Sequence, residues 1–226
     1  MNDAASEPSA HNAPDVPDAG LYSFSSEPIT ATGFSTPEFV SRAGLKLHAA
    51  LHVLGLSQQN FSAADLGSNV GGFVQCLLLH GASRVYAVDT GYGVLAWKLR
   101  KDPRVVVMER VNALHVRLPE PVDVVTVDTG WTRQEKILPV AAGLLKPGGF
   151  ILSLIKPHYE STQARLQKGV LTAEQSRAVL QRVLEKIAAL NLTTVSVVQS
   201  PLVGQGGNVE YIAYVRIPLW HKLLPD

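Results

Sequence analysis

Ala63-Ala64-Asp65-Leu66-Gly67-Ser68-Asn69-Val70-Gly71-Gly72-Phe73 is the stretch on which the reading of the fold turns. A short apolar approach ends at Asp65, a glycine-rich turn follows, and residues 73–80 read as a helix, so strand, tight turn and helix N-terminus come in one run. Glycines at 67, 71 and 72 carry no Cβ to hold a ligand off the main chain, and Asn69 tolerates positive φ better than most residues. The dinucleotide fingerprint G-x-G-x-x-G needs glycine two places after the first, and position 69 is Asn; no Gly-Lys-Ser/Thr follows to make a P-loop. A pyrophosphate cradle is therefore disfavoured. Taken alone, the same run also fits a purely structural turn.

Outward from that turn the chain alternates. Residues 84–89, 105–109, 122–128 and 150–155 read as buried-type strands, the last following Pro147-Gly148-Gly149, with helical segments at 73–80, 94–99 and 134–145 between them. Strands buried on both faces and alternating with helices predict a parallel, doubly wound sheet. Residues 172–190 form an amphipathic helix with Val179, Leu180, Val183, Leu184 and Ile187 as its buried stripe and Thr172 or Ser176 as its cap. Residues 192–199 and 209–217 read as strands joined by a loop short enough for a hairpin, which adds antiparallel pairing. Upstream, Leu47, Ala50, Leu51 and Leu54 recur at helical spacing ahead of the stop at Gly55, while Arg42 and Lys46 share the other side, as a solvated face or a functional one. The fold class is α/β: a Rossmann-like, mostly parallel sheet closed by an antiparallel C-terminal hairpin, the layout of methyltransferases with that fold.

In this topology ligands bind beyond the carboxyl ends of the strands. Asp65, Asp89, Asn112, Asp128 and Lys156 stand at or just after the ends of successive strands and so face one crevice. An acid before the glycine turn suits a ligand with a positive charge or an amine, and S-adenosylmethionine has both. Asp89 suits the two ribose hydroxyls of a nucleoside, since a carboxylate accepts from both. Asn112 fits either an adenine edge or a turn of its own chain.

A chain of 226 residues with 46% hydrophobic and 17% charged residues has room for one full core. The single cysteine, Cys76, falls in an apolar helical run and reads as a packed side chain rather than a nucleophile or metal ligand; no disulfide framework is possible. A net charge of +1 gives no global argument for nucleic acid, so any such surface is local. No apolar run reaches the length needed to span a bilayer, and the N-terminus lacks a basic region followed by a hydrophobic core, which makes a cytoplasmic location the expectation. Residues 1–35, rich in Ala, Ser, Pro and acids with no apolar period, are expected to be a disordered tail, and 36–226 a single folded domain.

Several runs together resemble the methyltransferase domain of the TlyA family, historically labelled haemolysin A and grouped with the FtsJ-like RNA ribose 2′-O-methyltransferases. They are Ser41-Arg42-Ala43-Gly44-Leu45-Lys46-Leu47, the 65–73 turn, Tyr86-Ala87-Val88-Asp89-Thr90-Gly91, Leu144-Leu145-Lys146-Pro147-Gly148-Gly149, Ile155-Lys156-Pro157 and Gly207-Asn208-Val209-Glu210-Tyr211. The resemblance implies a catalytic tetrad of Lys46, Asp128, Lys156 and Glu210 with Lys156 as base, and no metal. It implies S-adenosylmethionine as cofactor, held by Asp65, Gly67, Ser68, Gly71, Gly72, Phe73, Asp89, Asn112 and Asp128. Its implied substrate is RNA, in ribosomal RNA or ribosomal subunits. Full-length relatives carry an S4-type RNA-binding domain ahead of this unit, where the present sequence has its tail; an accessory RNA-binding protein is then an expected partner. Asp128 is followed by Thr129-Gly130-Trp131, where the family has a more apolar pair with Ser, and Trp131 reads as a base-stacking residue or a core tryptophan. Membrane lysis is not expected, because the one long amphipathic helix is explained by packing on a sheet. Arg42, Lys46, Lys98, Arg100, Lys101, Arg104 and Arg110 offer a basic path for RNA or a solvated surface.

Overall fold

The structure, a computed structural model, describes residues 23–25, 37–57, 59–161, 170–204 and 206–218. Runs of Val, Ala and Leu buried on both faces make the centre of the sheet: β2 (Phe61–Leu66), β3 (Ala82–Asp89), β4 (Val105–Glu109), β5 (Val122–Val127) and β6 (Leu145–Ile155) are all parallel to their neighbours among these five. With β1 (Ser23–Ser25), β7 (Thr193–Gln199) and β8 (Tyr211–Arg216), they form one sheet in the order β1-β7-β8-β6-β5-β2-β3-β4. β8 runs antiparallel to both β6 and β7, which is the expected closing hairpin.

Helices cover both faces. α1 (Arg42–Val53) and α2 (Gly72–Leu79) bury Leu47, Phe73 and Leu77 with Ala63, Val85 and Leu152 on one side of the sheet. α4 (Gln134–Gly143) and α6 (Ala173–Ala189) bury Ile137, Leu138, Val183 and Ile187 with Leu66, Val125 and Ile151 on the other. The stripe expected of α6 is buried in full, and Thr172 caps it through a capping box with Gln175, whereas Ser176 is itself buried. Cys76 lies wholly inside, as its apolar run requires.

The local expectations are corrected in three places. The helix read at 94–99 is only the single turn α3 (Trp97–Arg100), because Ala96 N–H donates to Val70 O at 3.0 Å and holds the preceding loop against the glycine turn. The strand read from 150 begins at Leu145, since Leu145 already pairs with Val122 across a register shift. A strand stands at Ser23–Ser25, paired in parallel with β7, inside the stretch expected to be a disordered tail; the rest of 1–35 lies outside the described residues. No helix among the described residues is long and apolar enough to cross a membrane.

Candidate active site at the sheet switch point

Strand order reverses between β2 and β5, and the residues just past those two strands meet there. Leu66 pairs with Val127, so Gly67 and Asp128 are the next residues on each side. Gly67 has φ +89°, and a Cβ built on it would stand 2.5 Å from the Asp128 carbonyl oxygen, a contact no side chain tolerates. Three further bonds fix the turn: Gly67 and Ser68 N–H both donate to Val88 O, and Asp128 N–H donates to Leu66 O. The crevice expected of this topology therefore opens on a backbone whose own strands set its shape.

The glycines also serve packing. A Cβ on Gly71 would run into Leu99 and Leu95, and one on Gly72 into Ser41 Oγ and Gly44 N. Their smallness lets α3 and the start of α1 pack onto the turn. Phe73 is buried in the core, so only its main chain belongs to the turn.

Asp89, last in β3, accepts Asn69 N–H at 2.8 Å on one oxygen and Gly91 N–H at 2.7 Å on the other. It braces the glycine turn against the loop after β3, and each oxygen retains a lone pair for a hydroxyl donor. Asp65 lies beneath the turn and is fully buried. Burial pushes its carboxyl up to about 8; the Thr126 hydroxyl, which donates to Oδ1 at 2.7 Å, and the Val74 amide pull down, while Asp128 and Asp89 push further up. Its Oδ2 has no hydrogen-bond partner among the described residues. Asn112 takes the turn role: its Oδ1 accepts Leu114 N–H at 2.9 Å and caps a short 3₁₀ turn.

The four residues of the expected tetrad come together as two ion pairs. Lys156 Nζ stands 2.5 Å from Asp128 Oδ1, an ion pair by distance that lacks hydrogen-bond angles, with both side chains about four-fifths buried. Lys46 Nζ donates to Glu210 Oε2 inside the protein, where Glu210 is 3% exposed. The sheet makes this meeting possible. Ile155, last in β6, pairs with Tyr211, first in β8, so Lys156 and Glu210 are the next residues on the two chains. Gly204 leaves no room beside Glu210 Oε1, where a Cβ would come within 2.4 Å, and Glu210 O accepts Ser200 N–H at 2.9 Å.

Three neighbours of the pairs escaped the sequence reading. His158, in α5 (Pro157–Glu160), is held below the usual imidazole range by burial and by the charges of Lys156 and Lys46, with Glu210 opposing; its Nδ1 is buried without a partner among the described residues. Glu160 caps α4, accepting Gln134 N–H at 2.8 Å, and so ties the turn after Lys156 back to that earlier helix; burial raises its pKa against that hydrogen bond. Tyr159 stacks on Trp131, centroids 4.5 Å apart, with Lys156 Nζ 5.8 Å from its own ring. Trp131 is 74% exposed, which rules out the core reading, and holds φ +60°. One signal for this cluster was in the sequence: His158-Tyr159-Glu160 follows Lys156 directly, and only the short helix there turns it back onto the tetrad.

The basic path is thinner than expected. Lys46 is spent on Glu210, Arg100 on Glu109 and Arg104 on Asp102. Arg42 and Lys98 are exposed, and Lys101 and Arg110 lie over the exposed rings of Trp97 and Tyr92, at 4.9 and 4.2 Å.

The chain is similar to known proteins. The family model of the FtsJ-like methyltransferases matches residues 39–217. The 16S/23S rRNA (cytidine-2'-O)-methyltransferase TlyA of Mycobacterium tuberculosis is 36% identical over 195 residues, covering 83% of this chain and 72% of its own. YqxC of Bacillus subtilis is 38% identical over 200 residues, covering 84% and 70%. Among solved structures, a Lactococcus lactis protein assigned to the hemolysins superposes with a TM-score of 0.75 at 32% identity, covering 80% of this chain and 89% of its own.

Proposed function

Since this chain belongs to the FtsJ-like methyltransferase family, and is an S-adenosylmethionine-dependent methyltransferase, we propose that its acceptor is a ribose 2′-hydroxyl of ribosomal RNA and that Lys46, Asp128, Lys156 and Glu210 carry the transfer. The observation behind the residue roles is the pair of ion pairs that the Ile155–Tyr211 register gathers beside the glycine turn. The turn fits the cofactor: Asp89 has lone pairs left for the ribose diol, and Asp65 keeps an unmatched carboxyl oxygen beneath a turn that an ammonium group would approach. Bound there, S-adenosylmethionine supplies a methyl group on a sulfonium, an electrophile that needs only an oxygen nucleophile in line.

The chain's own residues provide the rest. A ribose hydroxyl attacks poorly until its proton leaves, and Lys156 is the group assigned to take that proton as the methyl group passes from sulfur to that oxygen, leaving a neutral thioether. Asp128 holds the Lys156 nitrogen and stabilises the ammonium that results, and Glu210 holds Lys46 so that a second fixed cation faces the reacting oxygen. Trp131 on Tyr159 offers an exposed aromatic face beside Lys156, the kind of surface on which an unstacked nucleobase rests. Only four cations of the basic path remain available, so docking on a ribosomal subunit in the cytoplasm, with an accessory RNA-binding protein as a further partner, is the fuller form of the reading.

Transfer of labelled methyl to ribosomal subunits, followed by alkaline hydrolysis, tests it. A 2′-O-methyl group blocks cleavage at its own linkage, so label in alkali-resistant dinucleotides, lost in Lys156→Ala, is the expected result. Label released as mononucleotides would mean base methylation and would remove the tetrad from the reaction.

A further inference from the structure

On the far side of α1 from Lys46, a second cluster has no part in methyl transfer. We propose that His48, Cys76 and His80 form a binding site for a soft divalent transition-metal ion of the zinc class, which clips α1 to α2. One ligand atom from each of the three lies within 4.8 Å of the other two. His48 Nδ1 and His80 Nε2 are already 2.9 Å apart, a contact that requires one ring to offer its bare nitrogen. Cys76 and His80 are four residues apart on α2 and its cap, hence on one face; His48 comes from α1. The spacing is a two-residue ligand pair on one helix completed by the neighbouring helix.

The donor set is right for the ion. Two imidazoles and one thiolate are the ligands that tetrahedral zinc takes, at bond lengths of about 2.0–2.3 Å, which place ligand atoms roughly 3.3–3.8 Å apart. Reaching that geometry asks the two rings to part by about half an ångström and the sulfur to close by about one, within the reach of side-chain rotation. On binding, the metal–sulfur bond replaces the Cys76 S–H bond and one proton leaves to solvent. His52, one turn beyond His48, acts electrostatically on both rings, and the fourth position of such a site is one that water fills. The thiol is wholly buried while both rings are partly exposed, so entry is from the histidine side.

Position gives the site a purpose. α1 carries Lys46 and α2 begins at the cofactor turn, and the two already touch where Gly44 meets Gly72 O. A metal at their other crossing would fix the angle between them.

The test uses the full chain, stripped with a chelator and titrated with Co2+. Expected are one equivalent bound, a near-ultraviolet thiolate-to-cobalt charge-transfer band with strong visible bands of four-coordinate cobalt, and displacement by Zn2+. Cys76→Ser removes the charge-transfer band. His80→Gln, at a half-exposed position that spares the core, weakens Co2+ binding by about a hundredfold, at the upper end of what even indirect partners of a metal cost. A titration giving only the pale spectrum of six-coordinate cobalt, or equal affinity in His80→Gln, would overturn the site and leave a histidine pair beside a packed thiol. Neither readout involves methyl transfer, so failure here leaves the proposed reaction untouched.

Discussion

Lys46 and Glu210, 164 residues apart in sequence, meet as a buried ion pair between α1 and the first residue of the last strand's approach. Removing one partner of such a pair strands the other charge in the interior, at a cost of about 3–5 kcal/mol. Glu210→Ala is therefore expected to lower the urea midpoint sharply. The double variant Lys46→Met/Glu210→Leu, which removes both charges, should recover most of that loss. It should stay inactive all the same, because on the proposed reaction a stable fold without Lys46 lacks the cation assigned to the reacting oxygen. A double variant as unstable as the single one would show that the pair holds the fold through something other than its charges.

The Lys156–Asp128 pair predicts a different outcome, since both side chains keep some contact with water, 17% and 18% exposed. Lys156→Ala should cost little stability but lower kcat by a factor of roughly 10²–10⁴, the usual contribution of a positioned base. Asp128→Asn should lower kcat as well, and cofactor affinity should hold in Lys156→Ala, read by calorimetry. Parallel loss of affinity and rate in Lys156→Ala would place that lysine in cofactor binding instead.

Much of this arrangement was legible before any coordinates, because strand ends in a doubly wound sheet face one crevice and the acids and the lysine at those ends stand out from Val- and Ala-rich runs. What was not legible is instructive. A glycine shows where a Cβ is missing but not what fills the space, so the packing of leucines and α1 against Gly71 and Gly72 could not be read in advance. His158 and Glu160 carry no periodicity, and their places depend on a single turn of helix. Likewise, ion pairs with nearby acids, Glu109 and Asp102, engage Arg100 and Arg104, two members of the basic run whose pairing no periodicity announces.

Asp65 gives the fold a pH dependence with an unusual sign. Its carboxyl titrates at about 8 when folded and at 3.8 when solvated. Between those values the unfolded chain has lost the proton while the folded chain keeps it, so this group's contribution to stability falls as pH rises. Asp65→Asn keeps an oxygen for the Thr126 hydroxyl and cannot ionise. The variant should match the parent near the lower value and exceed it in urea midpoint near the upper one. A parent protein whose stability climbs over that interval, with no crossing by the variant, would rule out a neutral Asp65.

Trp131 separates stability from function most cleanly. Its ring is 74% exposed and its backbone sits at φ +60°, a conformation that costs a bulky residue about 1–2 kcal/mol and costs glycine almost nothing. Trp131→Gly should therefore leave the urea midpoint unchanged or raise it, offset only by the lost stacking on Tyr159. The proposed reading gives a residue kept in that conformation at the protein's own expense, beside Lys156, a place on the substrate side of the site. The variant should bind S-adenosylmethionine as before and methylate ribosomal subunits with a KM raised by about one to two powers of ten, since base stacking is worth about 1–3 kcal/mol. A loss of stability with an unchanged KM would mean that the ring supports the turn after β5 and never meets RNA.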